Sequence, residues 1–519
     1  MVPHSTPLGN VPPPQSGANV PIADGRASAL AAPAVAAGVR RLLAAAPPPW
    51  QAAGWTVLKE RTVRTVAAGE LDGIAVHLKV YRADRWLDRA RDAWRGPRAS
   101  REFANLDRLR RAGFPVVEPL AHGQLRIDDE LRSFLVTRSI AGAVPFTLAT
   151  AAAAHATAGA LLRRLHDAGE RPLDLHPGNL LVDTDRRLWL LDLANVANPG
   201  PASLADRAKA LAQFCHEFPD RSLDGGALDP AARTLLAGYL DAGPDLGEAF
   251  RGELQLASHR WRASALASFG RRAFRSCRHT EVGPQRRGLV HWYWHQAPAG
   301  GPVPRAELEA FAPDRTTAHK SGRRGGVWVG ETFVAKVRAA AAARRLWQAA
   351  YWLTFAGVPT AAPMALRTYR GEGIVFTRRV PGSNLAEELR RGALDEPAVR
   401  AAARSLGDSL GRLHAHGLRN RDLKFDNLVR DPATGIVHCV DLDGVGWNAV
   451  RDHRGSGADL GRLLAAFAAA GNPGGRATLR AFLRCYLLAQ RRLLQSPPWR
   501  RILRHATRRA AEWRAAHAS

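Results

Sequence analysis

Residues Asn420-Arg421-Asp422-Leu423-Lys424-Phe425-Asp426-Asn427 decide the reading of this chain. An aspartate and an asparagine stand five residues apart, after a helix-patterned segment and before an apolar run. Fourteen residues beyond Asn427, the strand-like VHCVDLDG delivers Asp441. The pattern occurs once before, as Asp174-Leu175-His176-Pro177-Gly178-Asn179, followed thirteen residues later by Asp192 in LWLLDLAN. Upstream of both loops the likeness continues. It runs through a histidine at a helix end (His166, His414) and an apolar strand ending Thr-Arg (Thr137-Arg138, Thr377-Arg378). It goes on to a Gly-x-Pro break (Gly113 to Pro115, Gly357 to Pro359) and an Arg/Ala-rich helix. Each half begins with alternating polar and apolar strands that end on a lysine, Lys79 in AVHLKVY and Lys336 in TFVAKVR. Asp422 follows Asp174 by 248 residues. That is far too long for a solenoid repeat, and it predicts two homologous domains.

These residue types in this order suit phosphoryl transfer. A carboxylate orients an acceptor hydroxyl and takes its proton. An oxygen-donating asparagine and a second carboxylate hold Mg2+ against phosphates, and a lysine neutralises charge. Asp174 and Asp422 are the candidate catalytic carboxylates, with Lys424 beside the second. Asn179 with Asp192, and Asn427 with Asp441, are the candidate metal ligands. Lys79 and Lys336 are the candidate nucleotide-binding lysines. A lysine on an apolar strand needs a partner for its ammonium. Glu102, eleven residues before Gly113, supplies one in the first half; the same count back from Gly357 reaches Leu346.

Composition bounds the rest. The chain has 519 residues, of which 46% are hydrophobic, so it can bury large cores and is not a wholly disordered protein. Lys and Arg number 74 against 47 Asp and Glu, a net charge of +27. Alanine and arginine dominate, as in proteins from high-GC genomes, so part of that charge is compositional. Only six residues are lysine, and three of them fall in the motifs above. Where arginine fills nearly every cationic position, a lysine marks a site for a compact ammonium. Four scattered cysteines exclude a disulfide scaffold and a Cys-x-x-Cys zinc site. No stretch reads as a membrane span or a secretory signal, which points to the cytoplasm.

Together these motifs resemble the protein-kinase-like fold and, more narrowly, the bacterial lipopolysaccharide core kinases that phosphorylate Kdo or heptose. The residues carrying the resemblance are Arg61-Thr62 and Arg315-Thr316, the Gly-x-Pro breaks, the Thr-Arg strands and the D-L-H-P-G-N and D-L-K-F-D-N loops, over roughly residues 55–490. It implies an α+β fold with two tandem bilobal domains, each a β-rich lobe and a helical lobe. It also implies ATP and Mg2+ as cofactors, with Glu102 anchoring Lys79. The implied acceptor is an anionic glycolipid, the lipopolysaccharide core. The implied location is cytoplasmic, peripheral on the inner face of the inner membrane. The expected layout is a flexible Pro/Ala-rich arm at 1–50, a first domain at 51–278, a linker at 279–307 and a second domain at 308–519.

The sequence departs from the family in lacking a strict Gly-x-Gly-x-x-Gly loop, and Leu346 leaves Lys336 without its usual anchor. Two alternatives therefore stand. The acceptor is instead a protein Ser/Thr or a small molecule, or one domain is a pseudokinase with a regulatory or scaffold role. Net charge favours nucleic acid, but no recognised motif accompanies it. The segment Trp499 to Arg514 places apolar residues at helical spacing among arginines. It reads either as a helix lying on an anionic membrane or as the closing helix of the second domain. A similar look in Trp261 to Arg278 favours closing helices for both halves.

Overall fold

The computed structural model describes residues 18–24, 27–45, 48–61, 64–82, 86–127, 130–197, 200–218, 230–277, 279–283, 289–294, 305–322, 325–448, 453–471, 473–491 and 499–516. The chain divides into two compact units, residues 1–220 with 229–254, and residues 221–228 with 255–519. Each is mixed, a β-sheet followed by helices. Among the described residues no helix is long and apolar enough to cross a membrane.

The first unit begins with strands β1 (Val20–Asp24) and β2 (Ala27–Ala31) and helix α1 (Ala36–Ala44). Strands β3 (Thr56–Arg61), β4 (Arg64–Leu71) and β5 (Ile74–Tyr81) follow, then helices α2 (Trp86–Arg95) and α3 (Arg98–Arg111), then strands β6 (Pro119–Ile127) and β7 (Glu130–Arg138). These seven strands form one antiparallel sheet in the order β1-β2-β6-β7-β5-β4-β3. The tight β4–β5 turn is Asp72-Gly73, both at positive φ (51° and 78°), a conformation that Asp and Gly tolerate in two-residue hairpins. The Asp72 carboxylate accepts from the Gly38 amide at 2.6 Å and pairs with Arg41 at 2.7 Å, which seats α1 on that turn.

Residues 18–24 and 27–44 therefore correct the expectation of a flexible arm. Val35, Val39, Leu42 and Leu43 are buried against Leu71, Val76, Leu120 and Leu125 of the sheet. Residues 1–17 lie outside the described residues.

The helical part of the first unit comprises short strand β8 (Val144–Pro145), helix α4 (Ala152–Asp167), and strands β9 (Arg171–Pro172), β10 (Leu180–Val182), β11 (Leu188–Leu190) and β12 (Val196–Ala197). Helices α5 (Leu204–His216) and α6 (Pro230–Asp241) follow, and α7 (Gly247–Arg272) carries the boundary between Leu254 and Gln255. Helices α4 and α6 cross closely because Gly159 and Gly238 meet backbone directly. A Cβ on Gly159 would lie 2.0 Å from the Leu235 carbonyl oxygen.

The second unit repeats the sheet. Strands β13 (Thr280–Val282) and β14 (Val290–Trp294) precede helix α8 (Arg305–Ala310). Strands β15 (Lys320–Gly322), β16 (Gly325–Val329) and β17 (Phe333–Ala339), helix α9 (Ala340–Phe355), and strands β18 (Pro363–Tyr369) and β19 (Glu372–Arg378) complete it. The order is β13-β14-β18-β19-β17-β16-β15, which matches the first sheet position for position. The expected linker 279–307 is thus corrected, since Thr280–Val282 and Val290–Trp294 are sheet strands. The boundary at 278 shifts too. Phe269 of α7 packs on Tyr351 and Phe355 of α9, and the Trp347 indole donates to the Ala273 carbonyl at 2.8 Å. Residues 261–277 consequently belong to the second unit, not to the end of the first.

Helices α10 (Leu385–Arg390) and α11 (Glu396–Ala415) come next, then strands β20 (Leu418–Asn420), β21 (Leu428–Arg430), β22 (Val437–Cys439) and β23 (Val445–Trp447). Helices α12 (His453–Ala469), α13 (Gly475–Arg491) and α14 (Trp499–Ala516) end the chain. Ile502, Ala506 and Ala510 of α14 are buried, while Arg501, Arg504, Arg508 and Arg509 are exposed. The apolar face of α14 turns inward, as a closing helix requires.

Candidate active site

In the first unit, β5 presents Lys79 and α3 presents Glu102. The Lys79 ammonium donates to Glu102 Oε1 at 2.7 Å, with Lys79 6% and Glu102 0% exposed. The Tyr81 hydroxyl, two residues on and therefore on the same strand face, donates to Glu102 Oε2. Burial, followed by the neighbouring Glu102 charge, pushes the Tyr81 phenol well above its ordinary range, so it stays a donor.

The Asp-to-Asn loop has one geometry in both units. Pro177–Asn179 and Phe425–Asn427 are single 3-10 turns. The Asn179 side chain donates to the Asp174 carbonyl at 3.0 Å, and Asn427 donates to the Asp422 carbonyl at 2.9 Å. The asparagine thus closes its loop and leaves its side-chain oxygen to other partners. The Asp174 side chain is exposed and that of Asp422 is half-exposed. Lys424 Nζ lies 3.5 Å from Asp422 Oδ1, in a half-exposed pair.

The Gly-x-Pro break sets the strand that leads to Asp192 and Asp441. Val117 N donates to the Leu190 carbonyl and Leu190 N to the Pro115 carbonyl; in the second unit Cys439 N donates to the Pro359 carbonyl. Leu190 and Cys439 each lie two residues before the metal-ligand candidate. Asp192 sits at φ 62°, a left-handed conformation that a short polar side chain tolerates at some cost. Its Oδ2 accepts from Arg64, and Arg98 stands 3.8 Å from Oδ1. Burial opposes charge on Asp192, but Lys79, Arg64 and Arg98 outweigh it and hold the carboxyl below its ordinary range.

The second unit differs where the sequence differs. Leu346 is buried and apolar, and Lys336 Nζ instead donates to the Val440 carbonyl at 2.9 Å and to Asp441 Oδ1 at 3.3 Å. Burial again opposes the Asp441 charge and Lys336 outweighs it, so that carboxyl too is held low. Arg338, in the place of Tyr81, pairs with Asp443 at 3.1 Å.

The structure brings Lys79, Glu102 and Asp192 together, and Lys336 with Asp441. It also reveals residues that the sequence reading passed over. Arg64 and Arg98 bear on Asp192. Asp459, 0% exposed, accepts from the Asn420 amide at 3.0 Å and from His414 Nε2 at 3.3 Å, and pairs with Arg462. Two-residue alternation from each lysine would have found Tyr81 and Arg338; nothing local marks Arg64. Arg61 and Arg315, matched in the sequence, are not structurally equivalent. Val66 faces Lys79 and Val327 faces Lys336, so Arg64 corresponds to Gly325, whereas Arg315 precedes β15.

Asp192 Oδ1 is buried and without a hydrogen bond, and Leu191 N donates to the Asn179 carbonyl at 3.0 Å, which sets that asparagine beside the aspartate. An orphaned carboxylate oxygen and an amide oxygen fit a hard cation such as Mg2+. A sheet-borne lysine held by a helix glutamate, a helical region with an Asp-to-Asn loop and a metal-type aspartate after a short strand are consistent with a kinase-like fold. Residues 50–222 match the model of the Lipopolysaccharide kinase (Kdo/WaaP) family. The resemblance read from the sequence therefore holds over those residues and supports a kinase phosphotransferase; residues 255–519 of the second unit lie outside them. No curated protein sequence matches the chain. Among solved structures, the chain is similar to one described as the bifunctional kinase-methyltransferase WbdD, with 17% identity and a TM-score of 0.26. That similarity covers 37% of this chain and 47% of the other.

Proposed function

We propose that the chain is two tandem kinase-like domains and that the first transfers the γ-phosphate of ATP to a hydroxyl of a lipopolysaccharide inner-core sugar. The observation that carries this is the buried Lys79–Glu102 pair beside Asp192, inside the residues that match the family model. Lys79, fixed by Glu102, meets nucleotide phosphates as a preset ammonium. Asp174, exposed on its loop, orients the acceptor hydroxyl and accepts its proton. Asn179 and Asp192 hold Mg2+, which when bound neutralises phosphate charge. The basic surface suits an anionic acceptor at the inner face of a membrane.

A second reading applies to the second unit alone. Leu346 removes the anchor, and Lys336 is drawn onto Asp441, which favours a regulatory, pseudokinase role. Transfer of labelled γ-phosphate from ATP to purified lipopolysaccharide tests both readings, in wild type, Asp174→Asn and Asp422→Asn. Label that survives Asp422→Asn and dies in Asp174→Asn supports them. Label lost only in the double variant overturns the pseudokinase reading. Nucleotide binding without label on lipopolysaccharide, but with label on a protein or an aminosugar, overturns the acceptor.

A further inference from the structure

Resting on the nucleotide reading of the first unit, one cation there remains unexplained. Arg64 opens β4 and, paired with Arg61, closes the β3–β4 hairpin; it also lies opposite Tyr81 of β5. Its side chain is 17% exposed and its guanidinium donates to Asp192. Lys79, Arg64 and Arg98 surround two carboxylates, Glu102 and Asp192. Among the described residues, three cations stand against these two anions, with Lys79 and Arg64 largely desolvated, and a polyanion offsets that positive excess. The hairpin tip before the lysine strand is where a kinase site covers its phosphates with glycine amides. Here the sequence between the paired Arg61 and Arg64 is Thr62-Val63, without a glycine. A forked guanidinium can supply the donors that the backbone does not. In the second unit the register-equivalent residue is Gly325, at φ 119°, where a Cβ would lie 1.9 Å from the Val337 carbonyl oxygen. No side chain fits there, so the device is confined to the first unit.

We infer that Arg64 is a phosphate-binding residue of the first unit, its guanidinium serving both Asp192 and the polyphosphate of a nucleotide. Calorimetric titration of the full chain with adenosine and with ADP, each with and without Mg2+, tests this in wild type, Arg64→Ala and Arg64→Lys. The binding component that Lys79→Met removes reports on the first unit. The expected result for Arg64→Ala is ADP affinity lower by about tenfold to a hundredfold, as loss of a charge-assisted hydrogen bond implies, with adenosine affinity unchanged. Arg64→Lys recovers part of the loss. Unchanged ADP affinity in Arg64→Ala, or equal weakening of adenosine and ADP, would overturn the inference and make Arg64 a strut for Asp192. Wild-type protein that binds neither ligand would overturn the nucleotide reading itself, and Arg64's role with it.

Discussion

Replacing Glu102 by leucine writes into the first unit the residue that the second carries at the same count from its Gly-x-Pro. Glu102 is fully buried and accepts from both Lys79 and Tyr81. Its loss strands a buried ammonium and a buried phenol. Breaking a buried ion pair costs about 3–5 kcal/mol, and an orphaned hydroxyl about 1–3 more. The second unit shows the available relief. Without a helix carboxylate, Lys336 lies 3.3 Å from Asp441, and Lys79 already acts on Asp192. Turning to Asp192 offsets part of the cost and leaves a net loss of about 2–4 kcal/mol. Hydrogen exchange at the β5 amides is the suitable assay, because two units need not unfold in one transition. Protection should fall by that amount, and on the proposed function affinity for ADP with Mg2+ should fall with it, since Lys79 then competes for Asp192. Glu102→Gln, which keeps an acceptor for Tyr81, should lose less. A loss below about 0.5 kcal/mol with unchanged ADP affinity would refute the idea that Glu102 holds the lysine off Asp192.

Removing residues 1–47 should destabilise the first unit severely. Ile22, Val35, Val39, Leu42 and Leu43 are all buried, and each such side chain contributes about 1.5–3 kcal/mol; a truncated chain with the wild-type melting temperature would contradict this. Asp459→Ala should cost about 3–5 kcal/mol and strip the Asn420 amide of its exchange protection, because His414, Arg462 and that amide share one buried carboxylate. His166 gives a pH dependence. Burial first, then the Arg207 charge, pulls its pKa from 6.5 to about 4. A basic group depressed in the fold contributes stability above its unfolded pKa and loses it as pH falls, here between 6.5 and 4. The stability gap between wild type and His166→Gln should therefore shrink by about 2 kcal/mol from pH 7 to pH 5; a constant gap in denaturant titrations at the two pH values would exclude that account.

The Asp-to-Asn loops were legible because their spacing is set by a local bond. Asn179 and Asn427 must reach back five residues to a carbonyl, and that constraint survives in any context. Lys79 stood out because lysine is scarce and its strand is apolar. Strands β1 and β2 were not legible. Strand β2 is rich in Ala and Ser, which have weak strand preference, and its place is fixed by pairing with β6 roughly a hundred residues away, while among the described residues β1 pairs only with β2. Gly123 makes that pairing close, since a Cβ there would lie 2.1 Å from the Ser28 carbonyl oxygen. Arg64 was hidden for a related reason. The shared Arg-Thr pairs suggested an alignment that only strand register corrects. Asp459 lies thirty-nine residues from the amide it holds, a separation that no motif encodes.

The two hydrogen bonds that Leu190 makes with Pro115 and Val117 act as a ruler between Glu102 and Asp192. The segment ends α3, which carries Glu102, and Leu190 sits two residues before Asp192. A displacement of α3 should therefore be felt at Asp192 as well as at Glu102. The second unit keeps its ruler at Pro359 and Cys439 although Leu346 has replaced the anchor. There the same backbone bond stands beside a buried leucine, so a carboxylate grafted at Leu346 of α9 would meet a frame already in place.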